Sequence, residues 1–254
     1  MIKLTVAIIT YNEEKNIGRC ISSVLSIADE ILVVDSFSTD KTEAICNEHG
    51  VRFIKNAFQG HIEQKNFALG LAQFEYVLSL DADEALSPEL LEEIKKIKQN
   101  FILNGYRFNR LTNYCGHWVH YCGWYPDTKL RLVKKSQATW KGVNPHDILE
   151  LNSKKDEVGF LSGDLLHYSY DSIASHVRQT DKFTTIAAKA AFAQGKRSSL
   201  FKIGTRPFLK FGRDYFLKRG FLDGRYGFII CFINSLSALL KYSKLFDLQL
   251  GKKI

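Results

Sequence analysis

YVLSLDADEALSPE, residues 76–89, decides how this chain is read. Four apolar or β-branched positions run into two carboxylates, Asp81 and Asp83. That pattern predicts a buried strand, 76–83, ending in acids. Ser87-Pro88-Glu89 then predicts a helix start, with Ser87 as N-cap and Pro88 at the first helical position. Acids at the carboxyl end of a buried strand stand where ligands gather in open α/β sheets. An Asp-x-Asp there can offer two hard oxygen ligands to one divalent cation, whose other positions stay open to phosphate oxygens. The competing reading is a solvated turn.

The flanking sequence repeats the strand-helix alternation. LTVAIIT (4–10), EILVVDS (30–36) and VRFIKN (51–56) predict three more strands. Helical spacing covers 13–25 through Ile17, Ile21, Val24 and Leu25. A second helix runs to about His49, with Thr39 or Asp40 as its cap, and IEQKNFALGLAQF (62–74) is a third. This order predicts an α/β fold, a three-layer α/β/α sandwich on a mostly parallel sheet. From about 103 to 170 aromatics replace the helical patterns, and GYRFNRLT and TKLRLVKK alternate like strands. An antiparallel extension with long loops is expected there. Helical patterns return from Asp171.

Composition narrows the classes. The chain has 254 residues, 45% hydrophobic and 24% charged, so a globular fold is expected. Five Cys are too few for a secreted disulfide scaffold, and a reducing, cytoplasmic setting fits better. No glycine loop of the dinucleotide-binding or P-loop kind is present. Phosphates, if bound, must be held by a metal and basic side chains. Tyr226 to Leu240 is the longest apolar stretch, about 15 residues, shorter than the 18 or so of a spanning helix. Cys115, His117, His120 and Cys122 are all zinc-ligand types, but their close spacing lacks the two separated pairs of a structural zinc site. An aromatic loop that stacks on sugar rings is the favoured reading.

The motifs in order carry a resemblance. TYNEE (10–14), VVDSFSTDKT (33–42), QKNFAL (64–69) and LDADE (80–84) resemble the nucleotide-sugar half of family 2 glycosyltransferases, which have the GT-A fold. CGWYPDTKLRLVKK (122–135), WKGVNPHD (140–147), LLHYSY (165–170) and GFLDGRYGF (220–228) resemble the branch that builds lipopolysaccharide core, of the β-1,4-glucosyltransferase kind. The resemblance implies an inverting transfer of a hexose, glucose or a relative, from a nucleotide sugar, foremost a UDP-sugar. The acceptor would be a lipid-anchored or lipopolysaccharide-core glycan. By position, Thr10, Tyr11, Asn12 and Glu13 would lie against the nucleoside. Asp35 would accept a hydrogen bond from the base, Asp40 would support that loop, and Lys65 would sit near the nucleotide. Asp81 would touch ribose or metal, and Asp83 would ligate Mg²⁺ or Mn²⁺. His167 is a further candidate ligand, or a structural histidine. Arg131 would face the diphosphate or an anionic acceptor, or else lie on an outward strand face. Asp147 is the candidate catalytic base, with His146 orienting groups nearby; the plainer reading is a cap after Pro145. A nucleotidyltransferase would need a basic loop near the first strand, where acids stand instead. An inactive scaffold sits poorly with Asp35, Asp81 and Asp83 all present.

The net charge of +8 is unevenly spread. Residues 195–254 hold 13 Lys and Arg against 3 acids, whereas residues 1–194 hold 22 against 24. The expected organisation is therefore a catalytic domain, 1–194 (a nucleotide-sugar half, 1–100, and an acceptor half, 101–194), and a basic amphipathic helical tail, 195–254. Basic and aromatic residues alternate in that tail, as in helices that lie on an anionic membrane surface. Packing on the domain core is the other reading. No nucleic-acid motif accompanies the charge, so nucleic acid is not an expected partner. The expected location is cytoplasmic, peripheral on the inner face of the cytoplasmic membrane.

Overall fold

A computed structural model describes residues 1–143, 146–153 and 158–254. Two compact units divide the chain. The first comprises residues 1–111 and 127–168, the second 112–126 and 169–254. The division expected at residue 195 falls inside the second unit.

The first unit begins with alternating elements: β1 (Leu4–Thr10), α1 (Ile17–Val24), β2 (Glu30–Asp35), α2 (Thr42–Glu48), β3 (Arg52–Lys55), α3 (His61–Leu71) and β4 (Tyr76–Asp81). Then come β5 (Glu84–Leu86) and α4 (Pro88–Gln99), then β6 (Gly105–Tyr114), whose last three residues belong to the second unit together with β7 (His117–Val119). β8 (Asp127–Lys134), the hairpin β9 (Ala138–Val143) and β10 (His146–Leu151), and β11 (Val158–Tyr170) follow. The strand order is β3-β2-β1-β4-β8-β6-β11-β5. The first four strands are mutually parallel. β8 is antiparallel to β4 and β6, and β11 to β5. The sheet is therefore mixed: the parallel character belongs to its β-α-β part, and the alternating 105–134 region adds the antiparallel extension.

Both faces of the parallel part are covered, which is why its strands are continuously apolar. Alternate residues of β1 serve opposite faces. Leu4, Val6 and Ile8 pack with Ile17, Ile21, Leu90 and Ile94 of α1 and α4. Ala7 packs on the other side with Ala68 and Leu69 of α3 and with Trp140 and Leu149 of the hairpin. One face is thus roofed by helices and the other by a helix and a hairpin. The expected cap of α4 is present, with Ser87 Oγ accepting the Leu90 amide at 3.2 Å. α2 starts at Thr42 with Lys41, not Thr39 or Asp40, at its N-cap; Asp40 lies one residue earlier and accepts the Thr42 amide at 3.0 Å.

The second unit is built on three helices, α5 (Ile173–Ala193), α6 (Leu200–Gly212) and α7 (Gly224–Gln249), with a π-turn at Arg213–Leu217. α7 packs on both α5 and α6. It is longer than the apolar run read from the sequence, because Lys241, Lys244 and Asp247 lie on the same continuous helix. The segment GFLDGRYG (220–227) is a knot around Asp223. Its carboxylate accepts the amides of His120 at 3.2 Å and Tyr121 at 2.9 Å, and lies 3.3 Å from His117 Nε2. Gly227 is required here, since a Cβ would meet the Gly220 carbonyl oxygen at 1.8 Å. The rings of Tyr114, Trp124 and Tyr170 surround buried His176, whose Nδ1 is 3.1 Å from the Tyr114 hydroxyl, and Tyr226 packs on Tyr114.

Candidate active site

The parallel register lines up the carboxyl ends of three strands. Thr10 pairs with Asp35, and Ile9 with Asp81. Asp35, Thr10 and Asp81 therefore stand side by side on β2, β1 and β4, where a ligand of an open α/β sheet is received.

Around Asp35 the residues form a tied pair of loops. Ser38 gives its amide to Asp35 Oδ2 at 2.8 Å and its hydroxyl to Oδ1. Asn12, at a positive φ of 54°, gives its amide to Ser38 Oγ at 2.8 Å, and its side-chain oxygen accepts the Thr39 amide at 2.8 Å. The Glu13 amide donates to Thr42 Oγ1 at 2.9 Å, and the Glu14 amide to Asp40 Oδ2 at 3.0 Å. Asp40 thus ties the Glu14 amide to the start of α2. Asp35, expected to face a base directly, is fully buried with both oxygens engaged by Ser38. Its effect is to shape the 36–40 loop. Tyr11 is exposed beside it, and Thr10 is buried with its hydroxyl lacking a hydrogen-bond partner among the described residues.

The second group is an ionic cluster. QKN (64–66) on α3 sends three side chains to three places. Gln64 donates to Ser36 Oγ at 3.1 Å. Asn66 exchanges two hydrogen bonds with the Trp140 backbone, at 2.9 and 3.0 Å, and so clamps the β9–β10 hairpin to α3. Lys65, only 3% exposed, bridges two carboxylates: its Nζ is 2.9 Å from Asp81 Oδ1 and 2.7 Å from Asp147 Oδ2. The same Nζ lies 4.4 Å from the centre of the Trp140 ring, and the Arg131 guanidinium stacks on that ring at 5.1 Å. Arg131 Nη2 reaches Asp81 Oδ2 at 3.2 Å and Glu84 Oε1 at 3.0 Å. Glu84, whose side chain is 0% exposed, also accepts the Asp81 amide at 3.0 Å and lies 3.4 Å from Arg110, which pairs with Asp127 at 2.8 Å.

Electrostatics follow from this packing. Burial opposes charge on Asp81, but the adjacent Lys65 and Arg131 overcome it and hold that carboxyl well below the usual carboxylate range. Burial likewise opposes the Arg131 cation, and Glu84 and Asp81 more than offset it, raising its pKa. Among the described residues, Arg131 Nε and Nη1 and Trp140 Nε1 are buried without a hydrogen-bond partner. Buried polar groups in folded proteins are otherwise paired, so these donors keep unused hydrogen-bonding capacity.

Asp83 points elsewhere, with its Oδ2 3.2 Å from His167 Nε2. The pairing of β5 with β11 sets this, placing His167 opposite Glu84, and the Tyr168 amide donates to the Asp83 carbonyl at 2.8 Å. Two donors about 2.1 Å from one ion, at right angles, lie about 3 Å apart. Asp83 and His167 therefore have the spacing of two ligands to a single divalent cation. Among the described residues no third His, Cys, Asp or Glu joins them. Asp81, expected at the metal or ribose, is held in this structure by Lys65 and Arg131. The His146 side chain lies outside the described residues.

Sequence reading did not single out Glu84, Arg110 or Trp140. Glu84 lay inside the LDADE motif, but its burial depends on partners 26 and 47 residues away.

Residues 5–140 match the sequence profile described as glycosyl transferase family 2, more than half of the chain. The chain is a family 2 glycosyltransferase. This enzyme is 34% identical to an uncharacterised glycosyltransferase of Rickettsia typhi, over 100% of its own length and 90% of that protein. It is 28% identical to LpsC, a lipopolysaccharide core biosynthesis glycosyltransferase of Rhizobium meliloti, over 96% of its own length and 92% of LpsC. Among solved structures, TarS of S. aureus is similar with a TM-score of 0.46 at 18% identity, over 86% of this chain and 45% of TarS. The glycosyltransferase has the α/β fold expected of the GT-A class.

Proposed function

We propose that this glycosyltransferase moves a hexose from a nucleotide sugar, foremost a UDP-sugar, to a lipid-anchored glycan of the cell envelope, with inversion at the anomeric carbon. The observation that carries this reading is Lys65, which joins Asp81 at the end of β4 to Asp147, 82 residues further along the chain. A strand-end carboxylate and a candidate base thus meet in one half-buried cluster. The acceptor class rests on the full-length likeness to LpsC, a lipopolysaccharide core enzyme by name. The site of action is the cytoplasmic face of the inner membrane.

In this reading Asp147 takes the proton of the acceptor hydroxyl during in-line attack. Lys65 fixes the position of Asp147 through its 2.7 Å ion pair. The unpaired Nε and Nη1 of Arg131 receive diphosphate oxygens, a geometry that suits a guanidinium. Thr10, Tyr11, Asn12 and Glu13, with the 36–40 loop shaped by Asp35 and Asp40, take the nucleoside. Asp83 and His167 would hold Mg²⁺ or Mn²⁺, leaving other positions to water and phosphate oxygens. The chemistry such a cation supplies is charge compensation for the leaving nucleoside diphosphate.

Transfer of label from a panel of nucleotide sugars to lipid-extracted glycan, with and without EDTA, tests the reading. Donor-dependent transfer that EDTA abolishes is expected. No turnover of any donor overturns the reading, and full activity in EDTA removes the metal from it.

A further inference from the structure

We propose that α6, the π-turn after it and the start of α7 form a seat that lies flat on an anionic phospholipid surface. The proposal concerns the second unit alone and holds whichever sugar is transferred.

None of the 13 residues of α6 is buried. Phe201, Phe208 and Leu209 follow helical spacing at i, i+7 and i+8, so they share one stripe. Phe208 is 79% exposed, and Leu217 in the π-turn 80%. Leu200 and Phe216 are exposed beside them. Exposed large apolar side chains grouped in this way mark an interaction surface. Lys202, Arg206 and Lys210, at i, i+4 and i+8, form a second stripe one position round the helix.

Charge selects the partner. Between residues 195 and 246 the only acids in the sequence are Asp214 and Asp223. Both are buried, Asp214 at 1% exposure, held by Arg213 at 2.9 Å and Lys210 at 3.1 Å. Asp223 is spent on the amides of His120 and Tyr121. The solvent-facing charge of this segment is therefore cationic throughout. Cations alternating with exposed Phe and Leu fit an anionic leaflet, with the rings below the headgroups and the cations among them. A nucleic-acid backbone would use the cations and leave the apolar stripe unexplained.

α7 is long and apolar enough to cross a bilayer by length and composition. Its packing points to the in-plane arrangement instead. Lys244 of α7 is bonded to Asp181 Oδ1 at 2.7 Å and to Thr185 Oγ1 at 2.8 Å on α5. Crossing by α7 would draw α5, which packs on it and carries Arg178, Asp181, Lys182 and Lys189, into hydrocarbon, where charged residues are expensive.

Pelleting of the full-length protein with vesicles tests this. Binding to phosphatidylglycerol vesicles and little to phosphatidylcholine vesicles is expected. Phe208→Ser/Leu209→Ser should weaken it about tenfold or more, and Arg206→Gln about fivefold. Thermal unfolding of these variants should match the parent, since the altered side chains are exposed. Unchanged binding by both variants overturns the proposal. So does equal binding to the neutral vesicles, a dimer that the Phe208 variant dissolves, or membrane attachment that survives alkaline carbonate, which would mean a spanning helix.

Discussion

The two units handle charge in opposite ways. In the first, buried and half-buried acids and bases answer one another: Lys65, Asp81, Arg131, Glu84 and Asp147 are linked by ion pairs at the strand ends. In the second, the acids Asp214 and Asp223 are drawn inside, while cations and apolar side chains face outward. Charge buried in pairs is costly to assemble and persists where it positions groups. Charge left exposed beside uncovered Phe and Leu suits a surface that is itself apolar and anionic. The contrast separates a chemical site from a docking surface within one chain.

That contrast can be broken at several points. The largest effect is expected at Asp147. Asp147→Asn should lower turnover about 10²–10⁴-fold with donor affinity kept, as for loss of a general base; rapid-quench turnover beside donor titration measures both. Next comes Glu84. Removing it in Glu84→Ala strips Arg131 of a buried partner and should cost about 3–5 kcal/mol in denaturant unfolding. A loss below about 1 kcal/mol would mean that the cluster is better solvated than its geometry implies.

A pH effect of similar size belongs to the second unit. Burial lowers the His176 pKa from 6.5 to about 4. Below pH 6.5 the unfolded chain takes up a proton that the folded chain refuses. Stability is therefore intact above pH 6.5 and falls as the pH drops to about 4, by about 3 kcal/mol in all. His176→Gln should flatten that slope, as followed by thermal unfolding across the range. The smallest effect is expected on the docking surface, where Phe208→Ser should change stability by less than about 0.5 kcal/mol. A large loss there would show that the stripe packs against protein.

Much of the first unit is legible in the sequence because its signals are local. Ser87-Pro88 announces a helix start, and LTVAIIT and YVLSLD announce doubly covered strands. The site residues are legible as types: Asp81, Asp83, Lys65 and Asp147 all stand out. Their pairing is not. Whether Asp81 faces a metal or a lysine depends on a helix 16 residues earlier, and the partner of Lys65 lies 82 residues away on a hairpin. Likewise, the charge change at residue 195 is a compositional signal that lies within the second unit. α5 lies before it and packs on α7 after it. A truncation there would cut through the second unit, so point substitutions are the better probe of the docking surface.

The most direct test of the central claim uses the purified full-length enzyme with labelled UDP-hexoses and a divalent cation, comparing the parent with Asp147→Asn. The account predicts that the parent passes label from one donor to lipid-extracted glycan, and that the variant binds the same donor but transfers it at least about a hundredfold more slowly. Transfer by the variant at the parent rate would contradict it.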